Sequence, residues 1–164
     1  MTTRGVLYVH AATSALCPHI EWAVAGVLGV RVRLHWTPQP ALPGTYRCEM
    51  SWQGRRGTAA ALASALRGWL HLRFEVTEEP SDGHEGARYS CTPHLGMLHV
   101  VIGVHGDIMV PEDRIRAALG KAAANELDLV EELRRLVGGP WDDELEPFRY
   151  AGDGAPVRWL HEVV

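Results

Sequence analysis

Tyr46-Arg47-Cys48-Glu49-Met50-Ser51-Trp52 alternates without a break, with Tyr46, Cys48, Met50 and Trp52 on one side and Arg47, Glu49 and Ser51 on the other. A period of two belongs to a strand with one face on a core and the other toward water. Val30 to Trp36, just upstream, repeats the pattern, and Pro38, Pro40, Pro43 and Gly44 make the turn between the two runs. Further upstream, Cys17-Pro18 opens a helix, because proline is tolerated at the first helical position. Ile20, Ala23, Val24, Val27 and Leu28 follow at helical spacing, and Gly29 stops it. Val6 to His10 is a short apolar run suited to a buried strand. Downstream, Thr58 caps a helix whose stripe is Leu62, Ala65, Leu66 and Trp69. Leu70, Leu72, Phe74 and Val76 then alternate against His71, Arg73 and Glu75. Strand, helix, strand, strand, helix, strand is the order of a ferredoxin-like split βαβ unit, with two helices on one face of an antiparallel sheet. The fold class is α+β.

The second half reads as additions to that unit. Glu78 to Gly86 is a polar loop and the natural boundary, giving a ferredoxin-like part over 1–80 and a second part over 87–164, expected to be continuous with the first. Ala87 to Cys91 and Met97 to Ile102 read as a β-hairpin, and Ile108 to Val110 as a short strand. C-terminal helices then pack on the sheet. Pro111 starts one with Glu112 and Asp113 in its first turn, where acids complement the helix dipole, and with Ile115, Ala118, Leu119, Ala122 and Ala123 as its expected buried face. A second covers about 127–137 and stops at Gly138-Gly139-Pro140. Trp141 to Tyr150 is short, acidic and aromatic, and Val157 to Val163 has the pattern of a closing strand.

At 164 residues the chain is long enough to bury its own core without staples. The net charge of −4 conceals a polarity. Residues 1–76 carry eight arginines against three acids, net +5, and the remainder carries eight bases against seventeen acids, net −9. A dedicated nucleic-acid binder would show an overall basic excess and exposed stacking aromatics. Here the face formed by Arg31, Arg33, His35, Arg47, Glu49, Ser51, His71, Arg73 and Glu75 has only Tyr8 to offer, so nucleic acid is not the expected partner. The acidic half is instead positioned to fold over the basic one, or to pair with it across a dimer. No signal peptide and no run of 18 apolar residues is visible, so the expectation is a cytoplasmic protein without a membrane segment. Cys17, Cys48 and Cys91 are too few and too scattered for a disulfide framework.

Four sets of residues carry candidate chemistry. Cys17 stands at a helix N-terminus with His19 beside it and His10 within plausible reach, the ingredients of a dipole-activated thiolate and its base. Cys17, His19, Cys91 and His94 together supply two sulfur and two nitrogen ligands of the kind zinc uses, though not at the usual tight spacing. Arg55, Arg56, Gly57 and Thr58 sit at a helix start, where free N–H groups and guanidinium groups suit a small anion. Trp141, Phe148, Arg149 and Tyr150 are residue types that dominate protein interfaces.

The segments Arg4–His10 (RGVLYVH), Leu16–Trp22 (LCPHIEW), His71–Pro80, Pro140–Tyr150 (PWDDELEPFRY) and Val157–Val164 resemble an actinobacterial family of unknown function, over nearly the whole chain. That resemblance implies a bacterial cytoplasmic protein, fits the use of fifteen arginines against one lysine, and transfers no site. The reading that follows is a non-enzymatic α+β module that binds a protein partner or a small anionic ligand, as a regulatory or accessory subunit, with no cofactor. Two alternatives stand beside it: a small cysteine-dependent or zinc-assisted enzyme, and a structural homo-oligomer.

Overall fold

The computed structural model describes residues 1–150. Its central strand, β1 (Thr2–Thr13), pairs antiparallel with β3 (Thr45–Arg55) on one side and β4 (Arg73–Glu78) on the other. With β2 (Thr37–Pro38), β5 (Gly86–Thr92), β6 (Gly96–Ile102) and β7 (Ile108–Met109) it forms one seven-stranded antiparallel sheet in the order β2-β3-β1-β4-β5-β6-β7. Helices α1 (Cys17–Leu28) and α2 (Thr58–Leu66) follow β1 and β3, so the first half has the β-α-β-β-α-β layout that the alternation predicts. The hairpin β5–β6 continues the same sheet. Helices α3 (Glu112–Ala123), α4 (Leu129–Leu136) and α5 (Gly139–Arg149) complete the described chain. The expected closing strand at Val157–Val163 lies outside the described residues.

Period two sorts the two faces of the sheet. Leu7 and Val9 of β1, Cys48 and Trp52 of β3, Phe74 and Val76 of β4 and Cys91 of β5 form a core with Ile20 and Val24 of α1 and Ala59, Leu62, Ala63 and Leu66 of α2. Each large apolar side chain buried there contributes about 1.5–3 kcal/mol. Gly29 ends α1 in the left-handed region, φ 68°, where glycine carries no Cβ penalty. Gly5 answers a different need, because a Cβ there would fall 1.8 Å from the Thr77 carbonyl oxygen and 2.6 Å from the Trp52 ring. Strand β1 can approach β4 beneath Trp52 only without a side chain at that position.

Several expectations need correction. Val30–Trp36 is not a strand: its residues alternate in burial, with Leu34 inside and Arg31, Arg33 and His35 outside, but ladder pairing starts only at Thr37. In place of a ladder partner the Leu34 N–H donates to Glu21 Oε1 of α1 at 3.0 Å, and the Trp36 indole N–H donates to the same oxygen at 3.1 Å. Leu70 is also outside the sheet and exposed, because α2 stops at Leu66 and a turn closed by the Leu72 N–H on the Trp69 carbonyl delays β4 to Arg73. The proposed inner face of α3 is largely outside as well: Ala118 is its only buried residue, while Ile115, Leu119 and Ala123 are exposed.

Candidate functional site

The sheet face opposite α1 and α2 carries Tyr8 and His10 of β1, Arg73, Glu75 and Thr77 of β4, and Arg88, Ser90 and Thr92 of β5. Alternation alone makes this a solvated polar face. It is covered, because α5 lies across it. Trp141 is buried and its indole N–H donates to the Gly96 carbonyl at 3.0 Å; the Thr92 hydroxyl donates to Glu144 at 3.1 Å; and the Arg73 guanidinium lies over the Phe148 ring at 4.6 Å. Gln39, itself buried, donates to the His10 carbonyl at 2.7 Å and to the Phe148 carbonyl at 3.2 Å, tying the end of α5 to β1.

Glu75 is the centre of what α5 covers, with 0% of its surface exposed. Tyr8 and Ser90 are its cross-strand neighbours on β1 and β5. Its Oε1 accepts from the Ser90 hydroxyl at 2.9 Å and from Arg149 at 2.6 Å; its Oε2 accepts from the Arg149 Nε at 3.1 Å and from the His10 Nε2 at 2.7 Å. Four donors fill the lone pairs of a carboxylate. His10 reaches it from a register shift in β1 between Val9 and Ala11, where a bulge re-aims a side chain. Its ring also stacks parallel to Tyr8, centroids 6.0 Å apart. Because an ionised carboxylate only accepts, His10 Nε2 is the donor in this contact. Arg149 extends the network to Asp142 at 3.0 Å, and Arg88 meets the same Asp142 oxygen at 3.4 Å. Two guanidinium groups thus face two carboxylates. Burial by itself would raise the Glu75 carboxyl, but the hydrogen bonds and charges of His10 and Arg149 reverse that and hold it well below the ordinary carboxylate range.

At this contact the carboxylate, Glu75, comes from the basic half and the guanidinium, Arg149, from the acidic half. His10 is 1% exposed and Arg149 5%, so the contacts around Glu75 are buried, and they join α5 to the sheet.

The predicted sites are placed as follows. Cys17 is buried, its thiol donating to the Thr13 carbonyl at 3.4 Å. Burial first, and Glu21 one turn along second, push that thiol up, opposite to the activation expected of a helix N-terminus. His19 is exposed on α1 and His10 is committed to Glu75, so neither completes a nucleophile–base pair with Cys17. Cys91 lies in the same core, also with its thiol pushed up, while His94 is exposed in the β5–β6 turn. Among the described residues no group of three or more His, Cys, Asp or Glu is placed to hold a metal, so Cys17, His19, Cys91 and His94 do not assemble into a site.

The helix start at Arg55, Arg56, Gly57 and Thr58 is formed, with Gly57 as its left-handed cap at φ 89°. Thr58 does not cap it: the hydroxyl donates backward to the Arg55 carbonyl at 2.6 Å. The anion at this helix end is the protein's own. Buried Glu78 of β4 accepts from the Gly57 N–H at 3.0 Å, the Ala59 N–H at 3.1 Å and the Thr3 hydroxyl at 3.2 Å. Arg55 and Arg56 remain exposed beside it. A depression of about 240 Å³ lies nearby, between the start of β1 and Pro80, but the Arg4 guanidinium on its wall is already bound to Glu79 at 2.5 Å. That volume is below the usual ~300–1,000 Å³ of small-molecule sites.

In the C-terminal set Trp141 and Arg149 face inward, Phe148 is half-buried under Arg73, and Tyr150 is 58% exposed. What the sequence reading missed is the His10–Glu75–Ser90–Arg149 cluster: alternation puts Glu75 on the outer sheet face, His10 ends a run read as a buried strand, and Arg149 belongs to the interface set.

A family profile described as Protein of unknown function (DUF3145) matches residues 6–162. The chain belongs to the DUF3145 family. The match begins within β1 and runs past the end of α5. No curated protein and no solved structure matches the chain. Among the described residues no helix is long and apolar enough to cross a membrane.

Proposed function

We propose that this DUF3145 chain is a non-enzymatic α+β binding module of the actinobacterial cytoplasm, and that what it binds is a protein. The observation that carries this reading is the α3–α4 surface. Helix α4 repeats apolar residues at Leu129, Val130, Leu133, Leu136 and Val137, yet it has no buried residue; Val130 is 72% exposed. Leu119 of the adjoining α3 is 50% exposed. The helix is well made, with Asp128 accepting the Val130 and Glu131 N–H groups at its start and Arg134 paired with Asp143 of α5. A stable amphipathic helix whose apolar side meets little among the described residues is the kind of surface that a partner covers. Tyr150, just past the end of α5, is the exposed member of the C-terminal set.

A small anion is the less favoured ligand, because Glu78 already occupies the helix end that would hold it. Affinity capture from native lysate tests the proposal when repeated with Val130→Glu/Leu133→Glu. A protein retained by wild type, lost with the variant and rebound when purified supports it; the same recovery with both baits sinks it.

A further inference from the structure

The sheet has one long margin that nothing in the described structure pairs. Strand β2 covers β3 only at Arg47 and Tyr46, and the Gln39 N–H on the Thr45 carbonyl at 2.9 Å shows that Thr45 turns its peptide group toward β2. Peptide groups alternate along a strand, so Arg47, Glu49, Ser51, Gln53 and Arg55 turn theirs to that same side, while Cys48, Met50, Trp52 and Gly54 turn theirs to β1. Exposure follows the loss of β2: Arg47 beside it is half-buried, whereas Glu49, Ser51, Gln53 and Arg55 beyond it are exposed. Arg31–Trp36, the segment just before β2, makes no ladder with this edge, and its Leu34 N–H donates to Glu21 instead. Proteins normally guard such an edge with proline, a bulge, a very short strand or charged side chains. β2 contains Pro38 and β7 is two residues long; Glu49–Arg55 has no proline and no bulge, and its charges are one acid and one base, Glu49 and Arg55.

We infer that this edge pairs with the same edge of a second copy of the chain, antiparallel about a two-fold axis at Trp52. Geometry leaves little choice of register. Only an axis at Trp52 lets Glu49, Ser51, Gln53 and Arg55 all exchange backbone hydrogen bonds, in narrow pairs that set Ser51 against Gln53 and Glu49 against Arg55 of the partner subunit; the Arg55 carbonyl, which already accepts the Thr58 hydroxyl, takes the partner's N–H on its second lone pair. That register also places opposite charges together, twice by symmetry. An axis at Ser51 would set Arg47 against the partner's Arg55, and an axis at Met50 would need Arg47 and Thr45, which β2 already uses. This interface is separate from the α3–α4 surface, and each stands or falls alone.

Sedimentation velocity over a concentration series tests it, with circular dichroism to show that each variant is folded. Wild type is expected to dimerise reversibly. Glu49→Arg and Arg55→Glu each set like charges opposite one another at both pairs, and each weakens the dimer about tenfold or more. An equimolar mixture of the two single variants restores association as a heterodimer, because every pair in it is then Arg against Glu. Ser51→Pro removes an edge N–H and abolishes pairing. A wild type that stays monomeric, a dimer indifferent to Glu49→Arg and Ser51→Pro, or a mixture no tighter than its components overturns the proposal. So does a monomer whose Glu49, Ser51 and Gln53 amides are protected from hydrogen exchange, which would mean that the chain covers its own edge.

Discussion

Replacing Arg149 by Met tests the network under α5 at its most sensitive point. The variant keeps an unbranched side chain to fill the space but withdraws both Arg149 bonds to Glu75, at 2.6 and 3.1 Å, and the bond to Asp142 at 3.0 Å. Hydrogen bonds to charged groups contribute about 1.5–3 kcal/mol each. Two lost from a wholly buried carboxylate therefore give about 3–6 kcal/mol, in line with the ~3–5 kcal/mol measured when one member of a buried ion pair is removed. For a chain of this length that is a fall in Tm of roughly 6–20 °C. The pH dependence carries a sign. In wild type the folded carboxyl of Glu75 is held below its unfolded value, so its stabilisation is complete above the unfolded value of ~4.3 and lost as pH falls through the folded one. In Arg149→Met, burial acts on Glu75 with less opposition and favours the protonated form, so the deficit relative to wild type shrinks as pH falls. Urea unfolding at a series of pH values reads both effects. The companion Glu75→Leu/Arg149→Met variant removes both charges and should be less destabilised than the sum of its single variants by about 2 kcal/mol or more. A loss below about 1 kcal/mol for Arg149→Met, or strict additivity in the double variant, would refute the reasoning.

Three other substitutions and treatments follow from the same contacts. Gly5→Ala puts a Cβ against the Thr77 carbonyl and Trp52, and overpacking of that kind costs about 1–3 kcal/mol or more, read as a lowered urea midpoint. Glu78→Ala leaves the Gly57 and Ala59 N–H groups without their carboxylate and is expected to lose about 1–3 kcal/mol; the same loss in Arg56→Ala would show that the helix end is stabilised from elsewhere. Cys17, Cys48 and Cys91 should react with a disulfide reagent only on the timescale of unfolding, since burial pushes all three thiols up, Cys48 to about 12. A fast stoichiometric reaction of the native protein near neutral pH would return Cys17 to the list of nucleophiles.

The helix-facing half of the fold was legible because apolar residues at period two and period 3.6 report directly on burial: Cys48, Trp52, Phe74, Val76, Ile20, Val24, Leu62 and Leu66 all lie where the pattern puts them. The pattern reports a face and not a hydrogen-bonded partner. Leu34 is therefore inside while its neighbours fail to make a strand, its N–H bound to Glu21 thirteen residues earlier. Polar faces are less legible still. Glu75 has the same alternating context as Glu49, yet one is fully buried and the other exposed, and what separates them is a helix that begins at Gly139. Only a complement in that distant helix, Arg149 for Glu75 and Gln39 for the helix end, marks the covered half of the face, and no local window of sequence contains both partners. The charge arithmetic does not say which charges lie inside, because a sum over residues counts exposed and buried groups alike.

The claim on which the rest depends is that the polar sheet face is closed by α5 and held by Glu75 and Arg149, leaving recognition to the outer surfaces. Hydrogen–deuterium exchange of the unmodified chain, read on peptides from 73–78 and 141–149, tests it directly. Closure predicts that both exchange slowly and together, with the protection of 141–149 collapsing first in Arg149→Met. Rapid exchange of 141–149 in wild type, while 73–78 stays protected only by its strand neighbours, would show the face to be open and would contradict the account.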